Sequence, residues 1–155
     1  MALEIERKFL LKNDDWKKLI QSAHQIKQGY LNSNPNRTVR IRLIGQKGII
    51  TIKGITKGTT RLEFEYEIPK NEAEELILLC ENPIIQKTRN IVLINKHTWE
   101  IDVFDGVNKG LAVAEIELTS EDEKFEIPEW VGKEVSYDNK YFNASLIKNP
   151  YCEWK

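Results

Sequence analysis

Cysteine, histidine, methionine, proline and glycine are scarce in this chain of 155 residues, with 2, 2, 1, 5 and 8 copies. Each shortage excludes something. Cys80 lies in an apolar helical pattern and Cys152 near the tail, so they read as two ordinary thiols of a reducing compartment, not as a disulfide framework. His24 and His97 stand alone, without Cys or His neighbours at zinc-ligand spacing, which argues against a zinc site. Gly and Pro are too few for a fibrous or disordered protein. An excess of one charge is also missing. With 24 acidic against 23 basic residues, no global field draws the chain to nucleic acid or to an anionic membrane. Any electrostatic function must be local. No window reaches the roughly 18 apolar residues of a membrane span, and no apolar signal core opens the chain. The expectation is a soluble, cytoplasmic protein with no membrane partner.

What the chain has in quantity is alternation. Its length and 41% hydrophobic content fit one domain over residues 1–155 with a real core. In "LEIERKFL", Leu3, Ile5 and Phe9 point one way along an extended chain while Glu4, Glu6 and Lys8 point the other. A short helix is expected at "NDDWKKLI", capped by Asn13 or Asp14, with Trp16, Leu19 and Ile20 as its apolar stripe. Extended runs follow at "QIKQGYLN", "RTVRIRLIG", "GIITIKGI" and "TTRLEFEYEIP", separated by turn signals. "KNEAEELILLCEN" reads as a second amphipathic helix, with Ala73, Leu76, Ile77 and Cys80 on one face. Three further strands are expected in "IIQKTRNIVLI", "HTWEIDVFD" and "LAVAEIELT", giving eight in all, before a Pro-bounded loop and a short helix at Phe142–Lys148.

Every strand but the second carries charge on its polar face. In order these are Glu4, Glu6 and Lys8; Arg40 and Arg42; Lys53 beside Thr51; Arg61, Glu63, Glu65 and Glu67; Lys87 and Arg89; Glu100 and Asp102; Glu115 and Glu117. The opposite faces are apolar. Two architectures fit: an ordinary barrel with its charges outside, or a sheet turned inside out, with charges lining a tunnel and helices covering the apolar exterior. The helices favour the tunnel, because an apolar stripe needs an apolar surface to pack on, but pattern alone leaves both open.

Glu4-Ile5-Glu6-Arg7-Lys8 resembles the ExExK signature that begins the CYTH domain of the triphosphate tunnel metalloenzymes. The resemblance covers nearly the whole chain: "VRIRL", "TIKG", "RLEFEYEI", "KTR", "WEID" and "AEIEL" follow in the family's order. It implies an α+β, predominantly β fold, an eight-stranded antiparallel closed barrel with a charged interior and helices packed outside. It also implies a small-molecule triphosphate substrate and a divalent cofactor, Mg2+ or Mn2+. The chemistry of the residues agrees, since Arg offers phosphate a bidentate fork and hard divalent ions prefer carboxylate oxygens. The expected substrate-binding set is Lys8, Arg40, Arg42, Lys53, Lys87 and Arg89. By resemblance Glu4, Glu6 and Glu117 hold metal, while Glu63, Glu65, Asp102 and Glu115, with Lys8, serve the catalytic step. Tyr30 could reach the tunnel or be an ordinary strand aromatic. "VSYDNKYFN" resembles a family segment that closes one tunnel end, with Asp138 and Lys140 at its acidic and basic positions, although Lys140 stands where the family often has Arg.

Within that family inorganic triphosphate, nucleoside triphosphates, thiamine triphosphate and RNA 5'-triphosphate ends are all used, and one branch cyclises ATP. A compact chain of near-neutral charge favours metal-dependent hydrolysis of inorganic tripolyphosphate to pyrophosphate and phosphate, and argues against an RNA binder. A class IV-type adenylate cyclase, a thiamine or nucleoside triphosphatase, and a polyphosphate-binding module are the alternatives.

Overall fold

Strict alternation makes each strand two-faced, and the fold follows from which face is turned inward. The computed structural model describes residues 3–154. Its strands are β1 (Leu3–Leu11), β2 (Ile20–Asn32), β3 (Arg37–Ile44), β4 (Lys47–Gly54), β5 (Thr60–Ile68), β6 (Glu81–Ile94), β7 (His97–Phe104), β8 (Ala112–Leu118) and β9 (Val131–Glu134), with one α-helix, α1 (Lys70–Ile77). The sheet runs β5-β4-β3-β2-β6-β7-β8-β1, all antiparallel, and closes through β5–β1 into an eight-stranded barrel. Two-residue turns fix the β3–β4 and β6–β7 registers, Ile44 facing Lys47 and Ile94 facing His97. Gly45 and Asn95 supply the left-handed backbone those turns need.

The barrel is inside out. Cross-strand partners share a face, so the pairs Glu6–Glu117, Lys8–Glu115, Arg89–Asp102, Glu100–Glu115 and Lys53–Glu63 put the charges together inside. The apolar exterior is covered by what lies between the strands. On β1, β6, β7 and β8, Phe9, Val92, Trp99, Ile101 and Ile116 pack against Trp16 and Trp130. Over β2–β5, α1 lays Ala73 and Ile77 on Ile41, Leu43 and Ile50. Burying each of these larger side chains stabilises by about 1.5–3 kcal/mol. Leu62, Phe64 and Tyr66 on the outer face of β5 remain exposed. No helix among the described residues is long and apolar enough to cross a membrane.

Four local expectations change. The segment after β1 is a five-residue 3-10 helix, Asp15–Leu19, too short to propagate an α-helix, and Ile20 already belongs to β2. Its N-cap is Asp14, without a side-chain cap hydrogen bond; Asn13 Oδ1 accepts from Asp15 N at 2.9 Å in a turn just ahead of it, and only Trp16 is buried. Helix α1 stops at Ile77, leaving Leu78 and Leu79 exposed. The short C-terminal helix becomes 3-10 turns at Asn139–Tyr141, Asn143–Ile147 and Tyr151–Glu153. The Pro-bounded loop contains the ninth strand, β9, which pairs with the second half of β1 beyond its contact with β5.

Glycine spacing sets how closely α1 docks. A Cβ on Gly48 would lie 2.5 Å from Ala73 Cβ and 3.1 Å from the Ile68 carbonyl oxygen, so Gly48→Ala must push the helix off the sheet. We expect it to cost about 1–3 kcal/mol. Gly54→Ala meets nothing nearer than Leu62 Cβ at 3.5 Å and should be close to neutral. Thermal melts of the two variants check this, and equal melting temperatures would refute it.

Candidate active site

The interior charges sort into three groups along the barrel. At the β1–β5 seam, Glu4 accepts from Lys53 Nζ through both oxygens at 2.9 Å, and Glu63 lies 3.4 Å from the same nitrogen. Glu117 comes in from β8, and Glu4, Glu63 and Glu117 each present an oxygen within 4.8 Å of the others. Among the described ion pairs Glu117 has none within 4 Å. Glu117 is exposed, yet partial desolvation and the neighbouring Glu4 and Glu6 push its carboxyl above the usual range.

Deeper in, Lys8 Nζ sits between Glu115 at 2.6 Å and Glu6 at 3.1 Å. Burial disfavours that ammonium, but Glu115 and Glu6 more than compensate and raise its pKa. Asp102 is fully buried and accepts from Arg89 Nε and Nη2 at 2.9 Å each, with Lys87 Nζ at 2.8 Å. Burial alone would raise the Asp102 pKa; Lys87 and Arg89 hold it well below the carboxylate range instead. Burial also pulls the Lys87 ammonium down, with Arg89 and Arg42 adding to that and Asp102 opposing it.

The third group is on β3. Arg42 donates from Nε to Gln28 Oε1 at 2.8 Å, and burial next to Arg40 and Arg89 lowers its pKa. Arg40 donates from Nη2 to Thr51 at 3.1 Å, with Glu65 3.8 Å away, and its buried Nε has no hydrogen-bond partner. A barrel face that combines an unpaired donor on Arg40 with a surplus of carboxylates at the seam suits a polyanion bound together with a hard cation.

One end of the barrel is stoppered. Tyr30, Ile85, Phe104 and Val113 lie on the interior face, as their partners Arg40, Gln28, Lys87 and Asp102 show, and pack with Leu146 and Ile147. Asn143 on this stopper accepts from Lys87 Nζ at 2.9 Å and from Gln28 Nε2 at 3.2 Å.

The profile of the CYTH domain matches residues 2–151. The chain belongs to the CYTH domain family. Among curated relatives of this CYTH chain, an inorganic triphosphatase of Acetivibrio thermocellus is 44% identical over 156 residues, covering 100% of this chain and 99% of that one. An inorganic triphosphatase of Nitrosomonas europaea is 35% identical over 148 residues, covering 92% and 95%. Among solved structures, an inorganic triphosphatase superposes with a TM-score of 0.65 at 32% identity, covering 95% of each chain. Divalent metal is what triphosphate tunnel metalloenzymes of this family use, and the acidic trio at the seam of this CYTH barrel has the donor set for one.

Of the residues singled out from the sequence, Lys8, Arg40, Arg42, Lys53, Lys87, Arg89, Glu4, Glu6, Glu63, Asp102 and Glu115 line this CYTH interior, Glu117 shares their face but is exposed, and Glu65 borders it, half exposed. Glu6 stands directly across from Glu117 in the β1–β8 register and is held by Lys8 at 3.1 Å, while Glu63 is the carboxylate whose oxygen lies within 4.8 Å of both Glu4 and Glu117. Tyr30 faces inward but packs in the apolar stopper. Asp138 caps the turn at Asn139–Tyr141, its side chain accepting from Lys140 N. Lys140 itself is exposed, its Nζ 4.7 Å from the Trp154 ring centroid, so the structure does not bring it to the cluster. Gln28 and Asn143 carry no charge pattern and gave no signal. Arg61 was visible in the alternation of β5 but had no assigned role.

Proposed function

We propose that this chain acts in the cytoplasm, as one triphosphate tunnel domain, to hydrolyse inorganic tripolyphosphate to pyrophosphate and phosphate with Mg2+ or Mn2+. The observation that carries this is the pairing, in one closed barrel, of an under-compensated carboxylate trio with a row of buried cations. The names of the relatives, inorganic triphosphatases over almost their whole lengths, support the same substrate class.

Arg40, Arg42, Arg89, Lys87 and Lys8 are assigned to the phosphate chain, the arginines because their planar forks match two phosphate oxygens at once. Asp102 keeps Arg89 and Lys87 in place before substrate arrives, so little reorganisation is needed on binding. Glu4, Glu63 and Glu117 would hold the divalent ion, which would supply charge stabilisation at the transferring phosphoryl group. Glu65 and Glu115 are assigned to orienting the attacking water. A binding module without chemistry fits less well, since three clustered carboxylates would repel an anionic ligand.

The test is to incubate the protein with tripolyphosphate, ATP and thiamine triphosphate, with and without Mg2+ or Mn2+, and to identify every product. Tripolyphosphate should give pyrophosphate and phosphate in equal amounts, only with metal, and faster than the other two substrates react. Cyclic AMP as the main product, or no phosphate release with either metal, would overturn the proposal.

A further inference from the structure

Arg61 is a buried-facing cation to which the hydrolytic reading gives no task. It stands on β5 directly opposite Glu4 in the β1–β5 register, hence on the interior face at the seam that closes the barrel. Its Nη1 donates to Thr56 Oγ1 at 3.1 Å, while its buried Nε has no hydrogen-bond partner and lies 3.7 Å from Glu4 Oε1. Both oxygens of Glu4 are already engaged by Lys53. A divalent ion held by Glu4, Glu63 and Glu117 would therefore share Glu4 with the Lys53 ammonium and would meet a second positive charge in the Arg61 guanidinium, 3.7 Å from Glu4 Oε1. Both effects oppose it.

We propose that Lys53 and Arg61 are resident counter-ions of Glu4, and that Arg61 weakens divalent-metal binding to the phosphate-free protein. This rests on the metal-dependent reading above. The positive charge that stabilises Glu4 in the empty barrel becomes a competitor of the metal, and it turns back into an asset when triphosphate arrives. An ion held by Glu4 would weaken that carboxylate's hold on Lys53 and Arg61 and leave both cations freer to face the incoming phosphate. Metal and triphosphate then each favour the other's binding through the same two side chains. Arg61 is a positioning residue in this scheme; it acts through Glu4.

The experiment is calorimetric titration of Mn2+ into the phosphate-free full chain, comparing wild type, Arg61→Gln, Arg61→Lys and, as a site control, Glu4→Gln. Removing the competing charge should tighten Mn2+ binding by about tenfold, the size expected when a like charge at this distance is lost from a partly screened site. Arg61→Lys should stay near wild type, and Glu4→Gln should lose binding. A merely structural role predicts the reverse, since loosening the seam would weaken the site. If Arg61→Gln melts early, Arg61→Met, which keeps the apolar stem, takes its place. Unchanged or weaker Mn2+ affinity in the folded neutral variant, with wild type binding normally, overturns the role of Arg61. Failure of the wild type to bind Mn2+ overturns the metal site itself, and the inference with it.

Discussion

Glu117→Gln should lower metal-dependent tripolyphosphate turnover by a factor of about 10^2–10^3, the scale at which removing one preorganised charge from a transition state is felt, while leaving metal-free thermal stability unchanged or higher. The second half of that expectation separates a metal ligand from a structural carboxylate. Glu117 has no ion-pair partner among the described residues, and partial desolvation with Glu4 and Glu6 nearby disfavours its charge. Neutralising it relieves repulsion in the empty barrel. Glu4→Gln should lose as much activity but melt lower than wild type, because Arg61 would be left without its carboxylate and Lys53 with Glu63 alone, at 3.4 Å. Melting curves with and without Mn2+ and tripolyphosphate distinguish the cases. Clear destabilisation of metal-free Glu117→Gln, or wild-type turnover, would remove Glu117 from the trio.

The second large effect is on stability. Asp102→Asn should destabilise the fold by about 3–5 kcal/mol, because it leaves buried Arg89 and Lys87 facing each other without their shared anion. The effect must depend on pH in a definite direction. The native Asp102 pKa is held below its unfolded value of about 3.9, so its contribution is fully present above about pH 4 and is lost as pH falls through the lower native value. The stability gap between wild type and variant should narrow below about pH 4. Urea melts at pH 7, 5, 4 and 3 measure it. A gap that stays constant down to pH 3 would show that Asp102 acts through packing and not through charge.

Most of the barrel was legible because charge on every second residue marks a face, and the seven alternating strands carry that mark. Position along the tunnel was not legible. Glu4 and Glu6 share a face, yet Lys8 captures one and Lys53 the other, so the trio recruits Glu63 across the seam. Spacing reports which side a residue faces; only register reports what it meets. The ninth strand escaped because four residues, one of them a glycine whose Cβ would lie 3.2 Å from the Leu10 carbonyl oxygen, are too few to show a period. The neutral bridge from Arg42 through Gln28 and Asn143 to Lys87 escaped for a different reason: amides leave no charge pattern, and Asn143 lies where no strand gives it a face.

The division of β1 between its neighbours has a consequence for how the chain is made. β1 precedes every other strand of the barrel, but Lys8 meets Glu115 from 107 positions further along the chain, and the second half of β1 needs β9 beyond that. Leu3–Ile5 find an earlier partner in β5, and Glu6 N donates to the Thr59 carbonyl just before it. Through most of synthesis β2–β7 can zip by pairing with strands already made, while the β8 and β9 partners of β1 are still to come. The N-terminal strand thus behaves as a latch thrown last. The acidic trio assembles in that same closing step, because Glu4 and Glu117 come together only when β1 settles against β8, so a nascent chain cannot gather a metal ion there before the barrel is shut.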